Sequence, residues 1–179
     1  MIKFSKYQPD RPAASKSIDE WQVEPAQPGD MRAIAELTAE RDGGDPVLYE
    51  RLIVEKQNAS PDPTHLFVAR QHEGVVGYGR VSFNRYESIP TGWYLAGLSV
   101  ATDKRRFGIG RSLTEHRIEW VSRKADELFY FANSRNLASI DLHLSLGFRE
   151  IVRGISVPGI TFRDGVGILY RLDLGTKSK

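Results

Sequence analysis

No cysteine occurs anywhere among the 179 residues. That absence excludes disulfides, thiolate metal sites and cysteine nucleophiles. Long apolar runs are also missing: none approaches the ~20 residues that cross a bilayer as a helix. The first residues, Met1-Ile2-Lys3-Phe4-Ser5-Lys6, lack the apolar stretch of a secretory signal. The expectation is a cytoplasmic protein with no membrane partner. Charge of one sign is not in excess, with 25 Lys and Arg against 23 Asp and Glu and a formal net charge of +2. So small a balance gives no reason to expect a nucleic-acid partner. Internal repeats and low-complexity segments are absent. What remains is ordinary for a soluble domain, at 40% hydrophobic and 27% charged residues. The length predicts one domain with a core large enough to hold without staples.

Residues 1–20 are polar and carry no steady apolar period, so they read as an N-terminal arm. The domain proper is expected over 21–174, with a short tail at 175–179. Trp21-Gln22-Val23-Glu24 alternates as a strand does. Pro28-Gly29-Asp30 opens a helix with Met31, Ile34, Ala35 and Leu37 at helical spacing, and Gly43-Gly44 stops it. Asp45-Pro46 opens a second helix, with Val47, Leu48, Leu52 and Ile53 expected on its inner face. Strands follow over 65–70 and 75–83, joined by a turn at Glu73-Gly74. Trp93 to Val100 reads as a strand buried on both faces. A helix over 108–125, a strand over 128–132 and a helix over 136–146 come next, the last closed by Gly147. Strands over 148–156 and 166–174 end the domain. The order β-α-α-β-β-β-α-β-α-β-β lacks the strict alternation of a doubly wound dinucleotide fold.

The most informative stretch is Val100-Ala101-Thr102-Asp103-Lys104-Arg105-Arg106-Phe107-Gly108-Ile109-Gly110-Arg111-Ser112. A strand runs into a turn, and the turn into a helix. The first amides of a helix have no partner within it, and the helix dipole adds partial positive charge there. Phosphate suits such an end. Gly108 and Gly110 let backbone approach an anion, and Arg105, Arg106 and Arg111 add charged donors. No Lys-Ser or Lys-Thr follows the glycines, so this is not a Walker loop. From these residues alone a phosphate site and a basic, solvated loop both stay open.

The register of Arg105, Gly108 and Gly110 resembles the R/Q-x-x-G-x-G/A pyrophosphate motif of the GNAT superfamily of N-acetyltransferases. The apolar strand Leu98-Ser99-Val100 stands ahead of it, as it does in that family; Thr102 replaces a common proline. A second family motif follows about 30 residues later. Asn136, Ser139, Ile140, Leu142 and Leu146-Gly147-Phe148 fall in register with the helix that lines the pantetheine arm. His143 holds the position where a tyrosine is usual. The Ser-Ile-x-Leu-His-x-x-Leu-Gly-Phe run is similar to that of phosphinothricin-type N-acetyltransferases, which implies a small amine as acceptor.

The resemblance implies a mixed, mostly antiparallel sheet of six to seven strands flanked by about four helices. It also implies acetyl-CoA as donor, held by Leu98, Ser99, Val100, residues Arg105 to Ser112, Asn136 and Ser139. The implied reaction is direct attack of an amine on the thioester in a ternary complex, which is mainly a matter of positioning. A backbone amide near Leu98 would serve the developing oxyanion. His143 would protonate or hydrogen-bond the leaving sulfur, although a lone helical histidine is ordinarily structural. The strand before the phosphate turn carries no acid, so the base is sought at Glu87, then at Tyr94 or a water chain. A module that holds acetyl-CoA without turnover is the alternative which that missing acid keeps open. Monomer and homodimer are both compatible with the sequence.

Overall fold

The computed structural model describes residues 20–175, apart from 60 and 73. The arm expected over 1–20 lies outside the described residues except at Glu20, and so does the tail beyond Gly175. Seven strands form one sheet: β1 Gln22–Pro25, β2 Thr64–Gln71, β3 Gly74–Asn84, β4 Gly92–Val100, β5 Glu127–Asn133, β6 Arg149–Ile155 and β7 Gly167–Asp173. Four α-helices flank it: α1 Met31–Asp42, α2 Pro46–Ala59, α3 Ile109–Ser122 and α4 Leu137–Ser145. The strand order is β1-β2-β3-β4-β5-β7-β6. Every neighbouring pair is antiparallel except β4–β5. This is the mixed sheet with four helices that the motif register implied.

Local chemistry sets the helix boundaries. The Asp30 carboxylate accepts the Gln27 amide at 2.8 Å, closing a capping box just before α1. Arg70 donates to the same carboxylate at 2.9 Å and ties it to the sheet. Met31, Ile34, Leu37, Leu66, Val68 and Tyr78 then form a core between α1 and one face of β2 and β3. On the opposite face α3 lays down Ile109, Leu113, Arg117 and Val121, four buried positions spaced four apart. Full burial of Ile109 or Leu113 contributes about 1.5–3 kcal/mol each.

Two expectations need correcting. Val47, Leu48 and Leu52 are exposed, not inner-face residues; only Ile53 of that set packs against the core. Leu52 and Ile53 line an open cavity between α2 and the sheet, and an open cavity leaves its walls accessible. The strand expected to be buried on both faces is also only partly so: Trp93, Ala96, Gly97, Leu98 and Val100 are half-buried. The physical reason is that β4 loses its β5 neighbour partway along. The parallel ladder consists of Tyr94↔Phe129 and Leu95↔Tyr130.

Candidate functional site

The parting of β4 from β5 positions everything else. Beyond Ala96 the register between β3 and β4 slips, and Gly97 and Leu98 fall outside it. Gly97 carries φ +63° within that bulge. A buried cation braces the distortion from the α3 side. Arg117 Nη1 donates to the carbonyls of Arg80 (3.1 Å) and Ala96 (3.2 Å), its Nε to Leu113 (3.0 Å) and its Nη2 to the Thr114 hydroxyl (3.0 Å). Gly79 makes room for it: a Cβ there would stand 2.7 Å from the guanidinium carbon. Arg117 was not anticipated from sequence, where it reads as one more helix-surface arginine.

At the end of β4 the chain enters the expected turn. Arg106 has φ +71° and Gly108 φ +94°, so two left-handed residues swing the backbone into α3. The Ser112 amide reaches the Gly108 carbonyl at 2.9 Å; the amides of Ile109, Gly110 and Arg111 precede that first helical bond. The Ile109 side chain is 1% exposed and belongs to the core, so it offers a ligand backbone only. Ser99 likewise spends its hydroxyl on the Leu37 carbonyl, at 3.3 Å. Arg105 Nε donates to Val100 O at 3.0 Å, which leaves four guanidinium hydrogens for other acceptors. Arg111 reaches Glu115 and the Ser145 hydroxyl (2.7 Å), linking α3 to α4 instead of closing over the turn. Phe107 is half-buried. Within the chain, Gly110 has no steric need to be glycine: a Cβ would meet Val100 and Leu98 only at 3.8 and 3.9 Å.

The second motif faces the point where the strands part. Asn136 is the N-cap residue of α4, without a side-chain cap bond. The Ser139 hydroxyl accepts from Tyr130 Oη at 2.7 Å. His143 is 2% exposed, stacked on Tyr130 and edge-on to Phe148. Its Nδ1 lies 2.7 Å from the Ser139 carbonyl, which can only accept, so Nδ1 holds the ring proton. Nε2 is buried with no partner. Burial pushes the imidazole pKa down to about 3, and the ring is neutral at neutral pH.

The candidate bases lie elsewhere. Glu87 is exposed on the loop after β3. Tyr94 is 1% exposed and donates its hydroxyl to the Pro90 carbonyl. Burial raises its pKa, so the phenol stays protonated. Tyr94 also borders a cavity of about 470 Å³ that includes Tyr86, Phe131 and Arg80. A second cavity, of about 210 Å³, opens between α1, α2 and the sheet. Both touch Lys56, Thr64 and Arg80. Sequence reasoning passed over Lys56, Arg80 and Tyr130. Arg80 did leave a signal, as a charge in the middle of the apolar run Val75-Val76-Gly77-Tyr78-Gly79-Arg80-Val81. Among the described residues there is no group of three or more side chains able to hold a metal ion, and no helix long and apolar enough to cross a membrane.

Residues 19–148 match the model of the acetyltransferase (GNAT) family. A comparison with curated protein sequences finds no match. Solved structures share the fold. A Salmonella typhimurium protein solved with its cofactor acetyl-CoA is 19% identical, with TM-score 0.67 over 89% of this chain and 96% of its own. A ribosomal-protein-alanine N-acetyltransferase from Brucella melitensis is 24% identical, with TM-score 0.65 over 85% and 99% of the two chains. A GCN5-related N-acetyltransferase from Kribbella flavida is 24% identical, with TM-score 0.66 over 86% and 97%.

Proposed function

The chain belongs to the acetyltransferase (GNAT) family, and from that premise we propose that it transfers the acetyl group of acetyl-CoA to a primary amine by direct attack in a ternary complex. The observation that carries this reading is the pairing of β4 and β5 through Leu95↔Tyr130, with the glycine turn of α3 beyond it. A strand that leaves its neighbour exposes backbone donors and acceptors to a ligand lying between the two. The glycine turn stands at the far end of that opening, where amides and helix dipole suit a pyrophosphate.

The fit can be tested on Gly110. Its Cβ position is open, so nothing inside the chain demands glycine there; a phosphate lying against the turn would. The orphaned Nε2 of His143 is a second fit, because a buried acceptor without a partner costs about 1–3 kcal/mol unless a ligand satisfies it.

Acetyl-CoA supplies the activated acetyl thioester. Arg105 and Arg106 add charge beside the turn amides, while Asn136 and Ser139 border the pantetheine arm at the start of α4. The backbone amide near Leu98, in the β4 bulge, donates to the acetyl oxygen as charge develops there. The amine nitrogen bonds to the acetyl carbon as the carbon–sulfur bond breaks, and one N–H proton ends on the sulfur. His143 holds its only ring proton on the Ser139 carbonyl. It therefore enters as an acceptor at Nε2, toward an N–H or S–H of the donor, in place of the proton-donor role its position first implied. The acceptor's ammonium loses its proton to solvent in the cavity beside Tyr94, with Glu87 following the cavity-lining Tyr86 in the chain.

The test is release of free CoA thiol on mixing the protein with acetyl-CoA and a panel of amines, alongside calorimetry with acetyl-CoA alone. Tight binding without thiol release from any amine would leave a donor-binding module instead of an enzyme.

A further inference from the structure

Resting on the acetyl-transfer reading above, we infer that the acceptor amine also carries a carboxylate, received by Arg80 and Lys56 where the two cavities meet. Four cations line these cavities. Two are neutralised inside the chain: Arg41 is paired with Asp42 at 2.7 Å and Arg85 with Asp62 at 3.0 Å. Arg80 and Lys56 have no acidic partner among the described residues.

Arg80 is the sharper case. Its Nε is buried and makes no hydrogen bond. Burial lowers its pKa, and no carboxylate acts against that loss. A guanidinium taken out of water without a counterion is strongly disfavoured. The charge of Arg80 in turn lowers the pKa of Lys56. Two cations therefore converge on one space, and the carboxylate on its wall, Asp62, is held by Arg85. An anion placed there relieves both penalties, and the planar guanidinium matches a carboxylate with two parallel hydrogen bonds.

The position relative to the reaction centre is also suitable. The Arg80 stem packs within 3.5 Å of where a Cβ on Gly97 would stand, so it leaves the sheet beside the β4 bulge. The larger cavity lies in the range of about 300–1,000 Å³ usual for small ligands. Tyr86, Tyr94 and Phe131 on its wall give a side chain of the acceptor an aromatic surface.

The experiment uses the full chain, acetyl-CoA and matched acceptors: protein amino acids, their primary amides and their decarboxylated amines. O-phosphoethanolamine with ethanolamine, and a tripeptide beginning with alanine, complete the set. At least one amino acid is expected to exceed its amide and its amine in kcat/KM by about tenfold or more. In Arg80→Gln that preference should collapse toward one, with the rise in KM for the acid larger than the fall in kcat. Lys56→Ala, on the exposed last turn of α2, should act in the same direction with a smaller effect. Arg80→Gln should melt cooperatively at or above the wild-type temperature, because it removes an uncompensated charge.

Equal use of acids, amides and amines by the wild type overturns the inference, as does a preference unaltered in both variants. A preference for the phosphorylated amine or for the tripeptide overturns the carboxylate assignment. Transfer to neutral amines only sinks this inference and leaves acetyl transfer standing. Absence of transfer to every acceptor sinks the transfer reading and this inference together.

Discussion

The imidazole of His143 lies flat on the phenol ring of Tyr130, with centroids 3.6 Å apart and planes 2° from parallel. Tyr130 is also the residue opposite Leu95, at the last rung before β4 and β5 part. One stacked pair thus joins α4 to the apex of the strand opening. Tyr130 donates to Ser139 while His143 Nδ1 donates to the carbonyl of the same serine. The pair is held from both sides: the Tyr130 hydroxyl is anchored on Ser139, and the imidazole cannot turn over without breaking its Nδ1 bond.

A neutral buried histidine makes stability depend on pH. The folded-state pKa of His143 is pushed down to about 3 from an ordinary 6.5. Between those values the unfolded chain binds a proton that the folded chain does not. Stability from this group is therefore complete above about pH 6.5 and is lost as pH falls toward 3, by up to about 1.4 kcal/mol per pH unit. Urea melts of wild type and His143→Phe across pH 7 to 4 should diverge, with the shallower dependence in the variant. Parallel curves would mean that the ring is not neutral and buried in the folded state.

The turn into α3 separates folding from binding in the two glycines that flank Ile109. Gly108 has φ +94°, so Gly108→Ala strains the backbone and should cost about 1 kcal/mol or more of stability. At Gly110 the Cβ position is open. Gly110→Asp adds a carboxylate to the first turn of α3, where the helix dipole favours it. The variant should melt at the wild-type temperature or slightly above, yet lose acetyl-CoA binding in calorimetry. Retained affinity in a well-folded Gly110→Asp protein would remove the pyrophosphate from this turn.

His143 also divides a catalytic from a structural role. If Nε2 accepts from the donor, His143→Ala should lower kcat by about 10- to 100-fold, in the range of one or two lost hydrogen bonds. It should also lower the melting temperature through the cavity it leaves. His143→Tyr keeps an aromatic ring on Tyr130 and places a hydroxyl near the unpartnered site. It should recover part of the rate. Turnover per folded molecule that is unaltered in His143→Ala would confine the residue to packing.

The parts legible in the sequence were those carried by local chemistry. The turn glycines, the Asn136 cap and the Leu146-Gly147-Phe148 stop each act within a few residues, so the chain displays them directly. The seven strands also fell within one or two residues of their expected limits, because periodicity is local. The inner face assigned to α2 was misread because an apolar residue on a helix can line an open cavity as well as a core. Arg80, Arg117 and Tyr130 were illegible for a different reason. Each owes its role to residues 9 to 37 positions away or to a bulge in a neighbouring strand. A buried arginine in particular reads as a surface residue until its carbonyl partners are in place.

That hidden arginine supports a prediction about coupling. Arg117 is 1% exposed and bonds to the carbonyls of Arg80 and Ala96, the two residues that face each other across the slipped register. Arg117→Met removes the cation but leaves those carbonyls without their partner, and should cost roughly 1–3 kcal/mol. Gly79→Ala drives a methyl to 2.7 Å from the guanidinium and should cost about 1–3 kcal/mol by overpacking. The two losses should not add, since the methyl has nothing rigid to strike once the guanidinium is gone. In an Arg117→Met background, Gly79→Ala should therefore be nearly neutral, a coupling readable from urea melts of the four proteins. The same bulge carries Gly97 and Leu98, so both single variants should also bind acetyl-CoA more weakly per folded molecule. Strict additivity in stability would mean that Gly79 is glycine for a reason other than Arg117, and unaltered affinity would detach the brace from the donor site.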